Sequence, residues 1–84
     1  MASAFTVGQV FDLKGRVGLV VIGLVTRGNI RIGDVLRFEG THERIAVRSI
    51  EILYRPDRER EATLVLSRDS RRPVAGDVLV GADT

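Results

Sequence analysis

The stretch from Phe11 to Leu36, FDLKGRVGLVVIGLVTRGNIRIGDVL, constrains the fold more than any other part of the chain. Its middle, Leu19-Val20-Val21-Ile22-Gly23-Leu24-Val25, is apolar and rich in β-branched residues. Such a run suits a strand buried on both faces, or nearly so, because branched side chains pack well on a pleated surface. A helix is disfavoured, since each interior glycine costs about 1 kcal/mol relative to alanine. Here glycine recurs as Gly18, Gly23 and Gly28. Turns with glycine bound the run on each side, Lys14 to Gly18 before it and Thr26 to Asn29 after it. The pattern predicts a central strand with a hairpin on either side.

The rest of the chain reads as short strands and turns. Ala4 to Leu13 is a strand whose apolar phase changes at Gly8-Gln9, the mark of a bulge or of a bend at a barrel corner. After the central strand come Ile30-Arg31-Ile32 as a short strand, a turn at Gly33-Asp34, and a strand over Val35 to Phe38. A loop from Glu39 to Glu43 leads into a longer strand, Arg44 to Leu53, whose phase shifts near Ser49. Tyr54 to Glu61 holds Pro56-Asp57 and balanced charge, and reads as a solvated hairpin tip. Ala62 to Ser67 is a strand, Arg68 to Pro73 a basic loop, Ala75-Gly76-Asp77 a turn, and Val78 to Val80 a last strand. Gly-Asp-Val-Leu occurs twice, at Gly33 and at Gly76, and reads as two ordinary turns because the flanking residues do not repeat. Nothing has helical periodicity over a useful length.

About seven short strands without a helix predict an all-β protein, a small closed or nearly closed antiparallel β-barrel. Closure removes the edges that so small a chain could not otherwise cover. The expected core contains Leu19, Val21, Val25, Ile30, Ile32, Leu36, Ile50, Leu64, Leu66 and Leu79.

Length and composition narrow the function. Eighty-four residues make one domain, 1–84. A chain of this size buries roughly 60–65% of its unfolded surface, too little for a deep catalytic cleft. There is no cysteine, so neither disulfides nor thiolate metal sites are available. The apolar run at Leu19 is far short of the ~20 residues that span a bilayer, and the N-terminus lacks the basic and apolar segments of a signal peptide. The expectation is a cytoplasmic protein without a membrane role. The initial Met and the short tail after Val80 suggest a complete small protein. Of the 13 basic residues only Lys14 is a lysine. The arginine excess reads either as the codon usage of a GC-rich genome or as a surface for phosphate or carboxylate.

Two longer patterns resemble a known family. They are Phe5-x-Val7-x-x-Val10-Phe11-x-Leu13-x-Gly15-Arg16 and Gly18-x-Val20-Val21-x-Gly23-x-Val25-x-x-Gly28-x-Ile30-x-Ile32-Gly33-Asp34. Together they resemble the second domain of the translational GTPases, elongation factor Tu most closely. Val47-x-Ser49-Ile50-Glu51 and Gly76-Asp77-Val78-Leu79 extend the likeness from about Phe5 to Val80. The resemblance implies a β-barrel. It also places Glu51 at the glutamate that, in elongation factor Tu, belongs to the pocket for the aminoacylated 3′ end of tRNA. The chain departs from that family in two places. Gly15-Arg16-Val17-Gly18 stands where the family has Gly-Arg-Gly, and Arg58 to Ala62 lacks the family's Gly and Asn.

No catalytic role is expected. A phosphate-binding loop needs Gly-x-x-x-x-Gly-Lys followed by Ser or Thr. Gly18, Gly23, Gly28 and Gly33 repeat at that spacing, but Leu24, Asn29 and Asp34 follow instead of lysine. They read as turn and strand-packing glycines, and no GTP binding by this chain is expected. His42 is the single histidine and reads as a surface residue; no spacing suggests a metal site or any other cofactor. What remains is a non-catalytic binding module that contacts RNA, the ribosome or a protein partner. The alternative is a protein–protein interaction module or a structural domain with no nucleic-acid role. The candidate contact residues are Arg16, Arg31, Arg37, Arg44, Arg48, Glu51, Arg68, Arg71 and Arg72. Arg31, Arg37, Arg44 and Arg48 are expected on one outer face, with Arg68, Arg71 and Arg72 forming a second basic site. With one Tyr and no Trp, base stacking has little to rest on.

Overall fold

The computed structural model describes residues 3–12, 18–51, 60–68 and 71–81. Among them are six strands and no helix: β1 (Ala4–Phe11), β2 (Leu19–Arg27), β3 (Val35–Phe38), β4 (Arg44–Glu51), β5 (Glu61–Leu66) and β6 (Val78–Gly81). They close into an antiparallel barrel in the order β1-β2-β5-β4-β3-β6. No helix among the described residues is long and apolar enough to cross a membrane.

Alternation along each strand fills the barrel. Phe5, Val7, Leu19, Val21, Leu36, Phe38, Ile45, Val47, Leu64, Leu66 and Leu79 form the buried cluster, with Val10, Val25, Ile30, Ile50 and Ala62 packed against it. Gly23 makes room for the largest of these. A Cβ there would press on the Thr6 carbonyl and come within 2.7 Å of Phe5 Cζ. The central strand is apolar on both sides as expected, but it is buried on both only over its first half. Val20 is buried like Leu19 and Val21, whereas Leu24 is 51% exposed.

Two bulges bend the wall. β1 slips register against β2 between Val7 and Gln9, where the sequence changes phase at Gly8. β4 slips against β5 between Val47 and Ser49, again at a phase change.

The second hairpin expected around β2 does not form. On that side β2 pairs with β5, and Ile30 to Ile32 is not a strand. The chain leaves β2 at Gly28, which has φ 61, and crosses to β3. Arg60 holds this crossover. Its Nε–H donates to the Val25 carbonyl at 2.9 Å and one terminal N–H to Gly28 O at 3.3 Å, while Val25 N–H donates to Arg60 O at 2.9 Å. Ile32 falls in the turn that follows and is 65% exposed, so it is not a core residue.

The Gly-Asp-Val-Leu echo is deeper than two ordinary turns. Gly33 has φ 93 and Gly76 φ 95, values that only glycine adopts without strain. Gly33 N–H donates to Val47 O at 2.9 Å and Val47 N–H to Asp34 O at 2.8 Å. At the other copy Gly76 N–H donates to Val7 O at 2.9 Å and Val7 N–H to Asp77 O at 2.8 Å. Each docked valine also begins its strand's bulge. An approximate twofold therefore exchanges β1 with β4, β2 with β5, and β3 with β6. The repetition lies in the backbone and leaves the flanking side chains different.

Candidate functional site

Leu36, Phe38, Ile45 and Val47 point into the core, so strand alternation sends Arg37, Arg44 and Arg48 outward. Arg37 and Arg44 are register partners across β3 and β4. Arg48 sits on β4 within the bulge, and Arg44 and Arg48 are both exposed. Arg37 is half-buried, and one of its terminal N–H groups donates to Thr41 O at 3.0 Å. Arg31 is exposed but lies in the turn before β3 rather than on a strand. Its backbone N–H donates to Asp34 Oδ2 at 2.9 Å, and that turn is docked on Val47 beside Arg48. Arg37, Arg44 and Arg48 thus face outward from the β3–β4 wall, and Arg31 lies in the turn that docks on it. Glu51, exposed at the end of β4 opposite Thr63, shares this wall.

The second basic site is met by acids. Arg68 pairs with Asp12 and donates to Gly18 O at 3.4 Å, and Arg72 reaches the other Asp12 oxygen at 3.7 Å. Arg71 lies between Glu43 at 3.2 Å and Asp77 at 3.5 Å. Its guanidinium stands 4.4 Å over the Phe38 ring, a cation–π contact. Three arginines face three carboxylates, so this loop presents far less net positive charge than its sequence suggests. Sequence spacing could not show this, because Asp12 and Glu43 arrive from distant parts of the chain. Arg16 and the tip from Tyr54 to Glu59 lie outside the described residues.

A pocket of about 210 Å³ lies at the crossover end, lined among the described residues by Val25, Asn29, Ile30, Ile50, Arg60, Glu61, Ala62 and Leu64. The sequence assigned Val25, Ile30 and Ile50 to the core, and each is only half-buried because it borders this space. Arg60 was hidden in the sequence as one member of a charge-balanced run; only the fold shows it pinning the crossover. His42 is exposed in the β3–β4 turn. Among the described residues, no group of three or more His, Asp or Glu side chains could hold a metal ion.

No protein-family model matches this chain, and neither does any curated protein or solved structure.

Proposed function

We propose that the chain is a non-catalytic, cytoplasmic binding module that contacts RNA, of the kind represented by the second domain of elongation factor Tu. The observation that carries this reading is the pairing of Arg37 with Arg44 on the outside of β3 and β4. Both side chains face outward, and the guanidinium fork suits phosphate oxygens. Arg48 extends the same wall, about four residues or ~13 Å further along β4 at 3.3 Å per residue.

The all-β barrel is the fold that the resemblance implies, and this agreement supports the reading. The contact is weak and independent of sequence, since the wall carries no aromatic platform for bases. Arg68, Arg71 and Arg72 take no part in it.

The test is a titration of a structured RNA at low salt with the wild type, Arg37→Glu/Arg48→Glu and Arg71→Gln/Arg72→Gln. Binding is expected to be lost in the first variant and retained in the second. No binding by the wild type, or equal binding by all three proteins, leaves a protein-interaction module as the better account.

A further inference from the structure

The arginine wall stops at a carboxylate. Along β3 and β4 the positions that follow the Arg37–Arg44 pair are Phe38 and Glu43, joined by the Phe38 N–H, which donates to Glu43 O at 3.0 Å. Phe38 ends β3 and Glu43 precedes β4, so this pair lies at the rim of the barrel, one residue beyond the wall. Another arginine reaches the rim from the loop before β6. The Arg71 guanidinium stands 4.4 Å over the Phe38 ring, with one terminal nitrogen 3.2 Å from Glu43 Oε2 and the other 3.5 Å from Asp77 Oδ2. Both ends of its fork are therefore taken by acids of this chain.

The two acids differ in what else they do. Asp77 Oδ2 also accepts the Val74 N–H at 2.9 Å and so helps to build its turn. Glu43 serves its own turn through the backbone alone: its N–H donates to Thr41 Oγ1 at 3.1 Å, and its carbonyl accepts from Phe38. Its side chain is 52% exposed and, among the described residues, is spent on Arg71.

We infer that Glu43 is an electrostatic mask, which holds Arg71 out of the RNA contact and ends the phosphate-binding wall at Arg44. The inference rests on the RNA reading of that wall and names what limits it. Without the Glu43 charge, the Phe38 ring and Asp77 still position the guanidinium at the rim. One end of the fork is then released, next to Arg37 and Arg44, for a further phosphate. An exposed ion pair of this kind is weak, so a single neutral substitution removes the mask without unfolding the turn.

The experiment compares RNA titrations of the wild type, Glu43→Gln, Glu39→Gln, Glu43→Gln/Arg71→Gln and Glu43→Gln/Arg72→Gln at several salt concentrations. Glu43→Gln should bind about fivefold more tightly at low salt and steepen the slope of log K against log salt by about 0.7, one further phosphate contact on a single strand. Adding Arg71→Gln should abolish the steeper slope, whereas Arg72→Gln, which removes the same charge, should retain it. Glu39→Gln removes an exposed acid from the same turn and should leave the slope at the wild-type value. Equal slopes for the two glutamate variants, or for the two double variants, would overturn the inference, because each would mean a general change of charge. Inorganic tripolyphosphate, followed through the Arg71 Nε–H resonance, separates the mask from the RNA reading. It should shift that resonance in Glu43→Gln at about fivefold lower concentration than in the wild type. If RNA binds to none of the proteins while this difference appears, the RNA reading fails and the mask stands; equal shifts in the two proteins, or none, overturn the mask.

Discussion

Asp34 and Asp77 hold the same place in two copies of one turn. Each carboxylate accepts the N–H three residues earlier, Arg31 or Val74, at 2.9 Å. Each backbone N–H returns the bond to that residue's carbonyl, at 3.1 Å for Asp34 and 3.0 Å for Asp77. The two turns lock the crossovers into β3 and β6 onto the bulged strands β4 and β1. Asp34→Ala and Asp77→Ala should therefore destabilise the barrel alike, by about 0.5–1.5 kcal/mol each, and should add in the double variant, since the turns share no partner. Urea denaturation midpoints measure this. A shift from one substitution and none from the other would separate the two turns.

Gly23→Ala should cost about 3 kcal/mol or more, because the new Cβ meets both Phe5 and the Thr6 carbonyl. Phe5→Leu should not restore the loss, since the Thr6 carbonyl is backbone and cannot withdraw. Full recovery in that double variant, read by thermal or urea unfolding, would place the whole conflict on the ring.

Gly28→Val should destabilise by roughly 1–3 kcal/mol, through a β-branched residue held at positive φ. The observed φ of 61 lies where glycine is the ordinary occupant. An unmoved denaturation midpoint would show that the crossover relaxes freely despite the Arg60 clamp.

Strand alternation made most of this fold legible. Leu19, Val21, Leu36, Leu64, Leu66 and Leu79 were expected inside and are buried there. The bulges at Gly8 and Ser49 were visible as phase changes, since a slip of one residue moves every later side chain to the other face. Partner choice was not legible. A chain that reads as successive hairpins instead sends β2 across to β5, and nothing local in Ile30-Arg31-Ile32 distinguishes a short strand from an extended turn entry. Phe38 and Ile45 were missed as core: Phe38 stands between Arg37 and Glu39, and Ile45 between Arg44 and Ala46 on a strand that also carries Arg48. The outward placement of Arg37, Arg44 and Arg48 was legible from the same alternation, whereas the strand expected to carry Arg31 does not form. The neutralisation of Arg68, Arg71 and Arg72 was not, because it depends on which loops the closed barrel brings together.

Arg71→Ala should cost about 1 kcal/mol, combining the cation–π contact with Phe38 and two ion pairs that solvent screens at a half-exposed side chain. Part of that loss should vanish in 1 M salt, where the ion pairs are already weak in the wild type. A loss that is unchanged by salt would assign the whole effect to packing on the ring.

The salt dependence of RNA binding tests the functional reading most directly. Each phosphate contact on a single strand contributes about −0.7 to the slope of log K against log salt concentration, so three arginines give about −2. Arg37→Gln/Arg48→Gln should flatten the slope to about −0.7, leaving the contact of Arg44. Arg71→Gln/Arg72→Gln should leave it near the wild-type value. A slope near zero in the wild type, or a steep slope that the Arg37/Arg48 substitutions do not change, would contradict the assignment of the β3–β4 wall as a phosphate-binding surface.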